Sequence, residues 1–192
     1  MRDANHGWLS LAVAAAALGV LSAGWSENAA AADTAAAAPA DAVVAGVWQH
    51  HKVTFNYMAF TTLYTCSGLE DQVRRILLHL GARQDAKVRA VGCPGPDNTP
   101  SRNAWVDADF YSLAPAADEA GSDTVKARWT SLDMSPRRPS FMGDGDCELM
   151  DRMKDTITKN FSLRGIEYRT SCQPHELWPD GFSVKGQTLR AG

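Results

Sequence analysis

Long apolar runs are missing from the sequence after residue 46. No stretch there approaches the run of about 20 apolar residues that a membrane-spanning helix requires. The sequence therefore predicts no integral membrane span in residues 47–192. This part of the chain is long enough for one ordinary domain with its own core and too short for two.

An excess of basic residues is also missing. The chain has 19 Lys plus Arg and 22 Asp plus Glu; one basic and four acidic residues precede residue 47, which leaves 18 of each in residues 47–192. Proteins that bind nucleic acid usually carry a basic surplus on the binding surface, because the phosphate backbone is anionic. The balance of charge therefore predicts no nucleic-acid partner.

The short motifs of common catalytic and metal sites do not occur. The sequence has no C-x-x-C, no H-E-x-x-H, no G-x-S-x-G and no Gly-rich phosphate loop. The acidic segment GDGDCELMD at 143–151 lacks the EF-hand spacing, and the helix dipole favours acidic residues at a helix start. We therefore predict no cofactor and favour a non-enzymatic protein. An enzyme of unknown class is the alternative, because catalytic groups can come from distant positions.

Alanine is what the sequence has in excess, and most of it lies at the front. Of 30 alanines, 18 fall within residues 1–46. Arg2 precedes an uncharged apolar run of 16 residues at 9–24, which is typical of a signal peptide. We predict a signal peptide over 1–26, cleaved between 24 and 32, and hence a periplasmic or secreted protein. An uncleaved N-terminal anchor is the alternative.

Two further predictions concern the chain that precedes the domain. Trp25 stands where a lipoprotein would need its lipidated cysteine, so lipid attachment at that position is excluded. Residues 27–46 are Ala-rich, and their small side chains bury too little surface to offset the entropy of ordering. We expect a flexible leader there, followed by a single α+β domain over 47–192.

The cysteines predict a covalent framework. There are four, at 66, 93, 147 and 172, and an even number in an exported chain favours disulfides over free thiols. Four cysteines allow three pairings, but the separations of 27 and 25 residues enclose similar contents. We predict the bridges Cys66 to Cys93 and Cys147 to Cys172.

Two segments have the periodicity of helices with one apolar face. The first, SGLEDQVRRILLHLG, follows Cys66; Ser67 and Glu70 suggest a capping box and Gly81 a C-terminal stop. The second, ELMDRMKDTITKNF, follows Cys147. The apolar positions are Leu69, Val73, Ile76, Leu77 and Leu80 in the first, and Leu149, Met150, Met153, Ile157 and Phe161 in the second.

Strand candidates surround each helix in the same order. One precedes each first cysteine, one ends near each second cysteine, and another follows, so the halves 47–114 and 122–192 are each β-α-β-β. We predict an α+β fold: a pseudo-repeat with a mixed sheet, both helices on one face, ferredoxin-like or related, and stapled by disulfides. A strand-helix-strand crossover makes its two strands parallel, which brings each pair of cysteines to one end of the sheet.

The same end of the sheet is the predicted binding site. The loops at 94–104, 135–146 and 173–181 leave it, and ligands of open α/β sheets gather at the carboxyl ends of strands. A second hypothesis is a ligand-binding sheet face on which Asp107 and Asp109 oppose Lys126 and Arg128. The candidate binding residues of the loop end are Arg102, Arg137, Arg138, His175 and Trp178.

Two observations complete the functional expectation. Metal binding by His50 or His51 together with His175 is a further alternative, which would need contact between distant parts of the chain. One block of the sequence consists of HHKVTFNYMAFTTLYTCSGLEDQVRRILLHLGAR at 50–83, followed by VGC at 91–93. This block resembles uncharacterised exported bacterial proteins and covers about a quarter of the chain. The resemblance implies export and no particular activity. We expect a module that binds an envelope protein, a glycan or a small ligand.

Overall fold

The computed structural model describes residues 43–93, 99–117, 124–177 and 180–192. They belong to one compact unit, Ala37–Gly192. The predicted signal peptide, residues 27–42 of the predicted leader and Trp178 lie outside the described residues. Among the described residues, no helix is long and apolar enough to cross a membrane.

Strands and helices follow one another in the predicted order, β-α-β-β twice. The first strand starts at Val43, so residues 43–46, predicted as the end of the leader, already belong to the sheet. The elements are β1 (Val43–Met58), α1 (Cys66–His79), β2 (Lys87–Val91), β3 (Asn103–Pro115), β4 (Thr124–Met134), a 3-10 turn (Asp144–Asp146), α2 (Cys147–Asn160), β5 (Leu163–Thr170) and β6 (Phe182–Ala191).

The strands form one six-stranded sheet in the order β2-β3-β1-β4-β6-β5. Every neighbouring pair is antiparallel, so the fold is α+β and the predicted mixed sheet is wrong. The physical reason is the position of the third strand of each half. β1 and β2 run in the same direction, as their crossover through α1 requires, but β3 lies between them and pairs with both. β6 separates β4 from β5 in the same way.

Both helices bury their apolar stripes in one core on one face of the sheet. The stripes are those predicted from periodicity, and the sheet contributes alternate residues, which point to one face of a strand. The buried members are Leu69, Val73, Ile76 and Leu77 of α1, Leu149, Met150, Met153 and Ile157 of α2, and Ala104, Val106, Ala108 and Phe110 of β3.

A smaller apolar cluster lies on the opposite face, where the two halves join. Among the described residues, β1 pairs with β4 over residues 43–47 and 124–128. The guanidinium carbon of Arg164 stands 3.8 Å from the ring centre of Trp129 and covers the cluster from outside. The cluster consists of Leu113, Ala127, Trp129 and Leu189, with Val44, Trp48 and Val125 packed against them.

Both predicted disulfides are present. Cys66 is bonded to Cys93 and Cys147 to Cys172, with Cα–Cα distances of 5.8 and 5.6 Å. Each bridge joins the first residue of a helix to the segment after the next strand. In each half, the third strand lies between the two strands that the helix connects. The loop before each helix therefore has to pass this middle strand to bring its cysteine to the end of the outer strand.

The start of α1 differs from the prediction. Its N-cap is Thr65, whose Oγ1 accepts a hydrogen bond from the backbone N–H of Gly68 at 3.0 Å, so the predicted capping box of Ser67 and Glu70 is wrong. Glu70 Oε1 instead accepts from the backbone N–H of Ala90 in β2 at 2.8 Å. The other end agrees, since Gly81 follows the helix with a φ of 101° that favours glycine.

Candidate binding site

The predicted loop residues that the structure describes have different contacts. Arg137 and Arg138 pair with acids of their own part of the chain, Asp144 at 2.8 Å and Asp133 at 3.5 Å. Arg102 contributes its backbone, because its carbonyl oxygen accepts from the N–H of Ala59 at 2.7 Å. These contacts hold each arginine against a neighbouring part of the chain.

His175 belongs to a different contact. Its backbone N–H donates to Thr61 Oγ1 at 2.9 Å, and its ring meets Phe60 edge-on at 6.4 Å between centres. His50 and His51 lie within β1 and bond to Asp109 and Ser112. The structure thus keeps His175 apart from the other two. In the described part of the chain, three or more metal-ligating side chains come together nowhere.

The loop end is held by two buried carboxylates. Glu148 accepts from the backbone N–H groups of Phe60 and Thr61 at 3.0 and 3.1 Å. Asp146 accepts from Gln72 Nε2 at 2.8 Å, from the backbone N–H of Gly143 at 2.6 Å and from the hydroxyl of Tyr64. Both carboxylates are therefore occupied by donors of the protein, and their role is to fasten the loops to the helices.

Burial perturbs the titration of this network. It raises the pKa of Asp146, although the hydrogen bonds from Tyr64, Gly143 and Gln72 act in the opposite direction. Burial also raises the pKa of the Tyr64 hydroxyl, and the nearby Asp146 charge adds to the effect. These groups lie beneath the loops, with Asp146 only 5% exposed.

A different surface presents free polar groups: the sheet face that the helices leave uncovered. Alternate residues of β1, β2 and β3 point to this face, and the register aligns them in rows across the three strands. We call this surface the open face. Its three central rows are Lys87–Asp109–Lys52, Arg89–Asp107–Thr54 and Val91–Trp105–Asn56.

A groove of about 480 Å³ lies on the open face. The acids of β3 form its floor, and the flanking strands supply its cations. Its polar lining side chains are Lys52, Thr54, Lys87, Arg89, Asp107 and Asp109.

Part of the groove is neutralised internally. His50 Nε2 donates to Asp109 Oδ1 at 2.7 Å, and Lys52 Nζ lies 3.7 Å from Asp109 Oδ2. The bond from His50 and the positive charges of Lys52 and Lys87 hold the pKa of Asp109 below its ordinary value. The His50 ring also stacks on Tyr111 at 4.7 Å. Asp109 is therefore ionised and already paired.

The second row is not neutralised. Arg89 and Asp107 face each other in the register of β2 and β3, yet among the described residues their side chains form no ion pair, and the Arg89 guanidinium has no hydrogen-bond partner there. Asp107 Oδ1 accepts a hydrogen bond from the neutral hydroxyl of Thr54 at 2.6 Å. A guanidinium and a carboxylate are thus both available to a ligand in one row.

An exposed aromatic ring continues the groove. Trp105 is 53% exposed on the open face, between Val91 and Asn56 of the flanking strands. Beside it, Asn56 Nδ2 donates to Asn103 Oδ1 at 2.6 Å, which fixes both amides. Trp105 therefore offers an apolar surface next to an ordered polar rim.

The sequence hypothesis for a charged sheet face had the wrong partners. It placed Asp107 and Asp109 opposite Lys126 and Arg128, but β1 lies between β3 and β4. The cations beside the two acids are Lys52, Lys87 and Arg89, which the sequence analysis did not single out. The sequence shows that these three cations alternate with apolar residues. It does not show the register of β1 and β2 against β3, which places the cations beside the two acids.

Comparison with protein-family models, with curated proteins and with solved structures found no match to this chain.

Proposed function

We propose that this chain is an exported, non-enzymatic binding protein of the periplasm or the cell exterior, and that the open face is its binding surface. The two disulfides support export, because such bonds persist in oxidising compartments. The apolar run at 9–24 supports it independently.

The observation that carries the binding proposal is the second row of the groove. Arg89 and Asp107 stand opposite each other without an ion pair, next to the exposed ring of Trp105. A groove with a donor and an acceptor, next to an exposed aromatic ring, has the features of a small-ligand or polymer-binding site. Neither helix covers it, since both lie on the other face.

The distribution of perturbed groups supports a non-enzymatic role. Enzymes concentrate groups of strongly shifted pKa in the clefts where they act. Here burial raises the pKa of Asp146, Tyr57 and Tyr64, which lie under the loops and bond within the protein. In the groove, the ion pairs of Asp109 keep it ionised, as in an ordinary surface salt bridge.

We also infer that the chain is an internal repeat of two β-α-β-β units related to the ferredoxin-like arrangement. In both halves the third strand separates the two strands of the crossover. In both halves, too, a buried hydroxyl of the third strand donates to a carbonyl oxygen at the end of the other half's helix. Ser112 donates to Asn160 at 2.5 Å, and Thr188 donates to Leu80 at 2.6 Å.

Chemical-shift mapping tests the binding proposal. The purified chain, labelled with ¹⁵N, is titrated with neutral oligosaccharides, inorganic polyphosphate and mixed-charge peptides. We expect one class of probe to shift the amides of the open face, and we expect Arg89→Gln to remove the effect. Arg169→Gln is the matched control, because Arg169 is an exposed arginine of β5 outside the groove. Shifts confined to the loop around Phe60 and His175, or no shifts with any probe, would refute the proposal.

Export has its own test. The mature protein is isolated from a bacterial host and its mass is measured. Export predicts a new amino terminus between residues 24 and 32 and no free thiol. An intact chain retained in the cytosol would contradict it.

A further inference from the structure

We propose that the ligand of the open face is a neutral oligosaccharide that lies along β3, with one sugar ring stacked on Trp105 and its hydroxyls bonded to Asp107 and Arg89. This inference rests on the binding function proposed above and adds the chemical class of the ligand.

The distribution of charge favours a neutral ligand. The floor of the groove carries Asp107 and Asp109, which would repel a polyanion. The flanking strands carry Lys52, Lys87 and Arg89, which would repel a polycation. A hydroxyl-rich ligand uses both signs, because each hydroxyl group can donate to a carboxylate and accept from a guanidinium.

The backbone of the groove disfavours a peptide. An extended peptide usually binds a sheet by adding a strand to its edge, where main-chain hydrogen bonds give the affinity. The edge strand next to the groove is β2, and two side chains of α1 bond to backbone groups in it or directly before it. Glu70 accepts from the N–H of Ala90 at 2.8 Å, and Arg74 Nε donates to the carbonyl of Ala86 at 3.1 Å. The remaining surface of the groove is made of side chains.

The aromatic ring supplies the apolar contact that a sugar needs. The C–H face of a pyranose is apolar, and Trp combines a large flat surface with a polar N–H. Trp105 stands in the row next to Arg89 and Asp107, and successive residues on one face of a strand are about 7 Å apart. A ring on Trp105 therefore places its neighbour in the chain over the guanidinium and the carboxylate.

The length of the surface fits a chain of several sugars. Along β3, the open face runs from Asn103 through Trp105, Asp107 and Asp109 to Tyr111. At about 3.4 Å per residue this line is about 27 Å long. The amide pair of Asn56 and Asn103 closes one end, and the stacked rings of His50 and Tyr111 close the other.

Isothermal titration tests the inference with defined probes. The purified chain is titrated with neutral oligosaccharides of four to six glucose or N-acetylglucosamine units, and in parallel with inorganic polyphosphate and with mixed-charge peptides. We expect saturable binding of a neutral oligosaccharide, weakened at least about tenfold by Trp105→Ala and by Arg89→Gln. Phe60→Ala and Arg169→Gln, an exposed aromatic and an exposed arginine outside the groove, should bind as the wild type does.

The results of these titrations distinguish a wrong ligand class from a wrong binding surface. In the chemical-shift titration described above, polyphosphate or a peptide could shift the amides of the open face while the neutral sugars do not. The oligosaccharide inference would then be wrong, and the proposed binding surface would stand. Binding of the sugars that is unaffected by Trp105→Ala also overturns the inference. If no probe binds at all, both proposals fail. Circular dichroism of each variant confirms that the exposed substitutions leave the fold intact.

Discussion

Glu148, the second residue of α2, accepts a hydrogen bond from the backbone N–H of Thr61 in the loop that precedes α1. The same carboxylate accepts from Phe60, so the second half of the chain holds a loop of the first half. The reverse contact also exists, because Gln72 of α1 donates to the carbonyl oxygen of Phe141 at 3.1 Å. The two halves are therefore fastened to each other at both loops.

Removing the Glu148 carboxylate should destabilise the whole domain. Glu148 is only 9% exposed, and Glu148→Ala leaves two backbone N–H groups without their acceptor. We expect the free energy of unfolding, measured in urea, to fall by about 2–3 kcal/mol. Asp71→Ala, at an exposed position of α1, is the control. A loss no larger than that of the control would show that the loop does not depend on this bond.

The hydroxyls at the helix ends should contribute similar amounts to stability. Ser112 and Thr188 are 2% and 0% exposed, and each donates to a carbonyl oxygen at the end of a helix. We expect Ser112→Ala and Thr188→Val each to lower the free energy of unfolding by about 1–2 kcal/mol, because the carbonyl loses a buried partner. Thermal unfolding of the two variants measures this. A change in one variant only would contradict equivalent roles for the two residues.

His79 should contribute to a loss of stability in mild acid, in the same direction as His51, whose pKa is also lowered by burial. Burial, aided by the positive charge of Arg190, lowers the pKa of His79 from its ordinary value of 6.5. The folded chain therefore binds this proton less tightly than the unfolded chain does, so the contribution is complete above pH 6.5 and is lost as the pH falls below it. His79→Leu should reduce the loss of stability between pH 7.5 and 5.5. Burial raises the pKa of Asp146, whose effect has the opposite sign but is common to both proteins. An unchanged loss in the variant would exclude His79 as the cause.

Each disulfide should stabilise the fold separately. The bridges close segments whose ends are 27 and 25 residues apart, and the chain-entropy model gives about 3 kcal/mol for loops of this size. Replacing both cysteines of one bridge by alanine, with the other bridge intact, should therefore lower the free energy of unfolding by roughly that amount. Similar losses for the two pairs are expected. A negligible loss for either pair would mean that its bridge adds little beyond the packed core.

Local patterns predicted the helices and the disulfides well. The spacing of Leu69, Val73, Ile76 and Leu77 identifies the buried side of α1 because a helix repeats every 3.6 residues. The cysteine pairs were predicted from matched separations. Glu70 shows where local reasoning ends: the sequence suggests a bond to its own helix start, but the side chain reaches Ala90, twenty positions away. Which of the two backbone donors bonds to the Glu70 carboxylate depends on the tertiary fold, because the fold brings Ala90 next to this side chain.

The proposed binding surface was not predictable in the same way. Lys52, Arg89 and Asp107 lie on three strands, and they share a groove only because β3 lies between β1 and β2. Strand order depends on long-range pairing, which periodicity does not encode. The loop residues Arg137, Arg138 and His175 are ordinary binding-site types, but in the structure they bond to other residues of the protein, namely Asp144, Asp133 and Thr61.

The bonds of Glu70 and Arg74 at the edge strand β2 also affect how the protein associates with itself at high concentration. Exposed strand edges invite pairing with other chains and lead to aggregates. At one edge of the sheet, Glu70 occupies the backbone N–H of Ala90 in β2, and Arg74 bonds to the carbonyl of Ala86 directly before the strand. At the other margin, the pairing of β5 with β6 is broken by a shift between Arg164 and Glu167, and such irregularities bend a strand away from a flat template. Both features disfavour the addition of a further strand at these edges of the sheet.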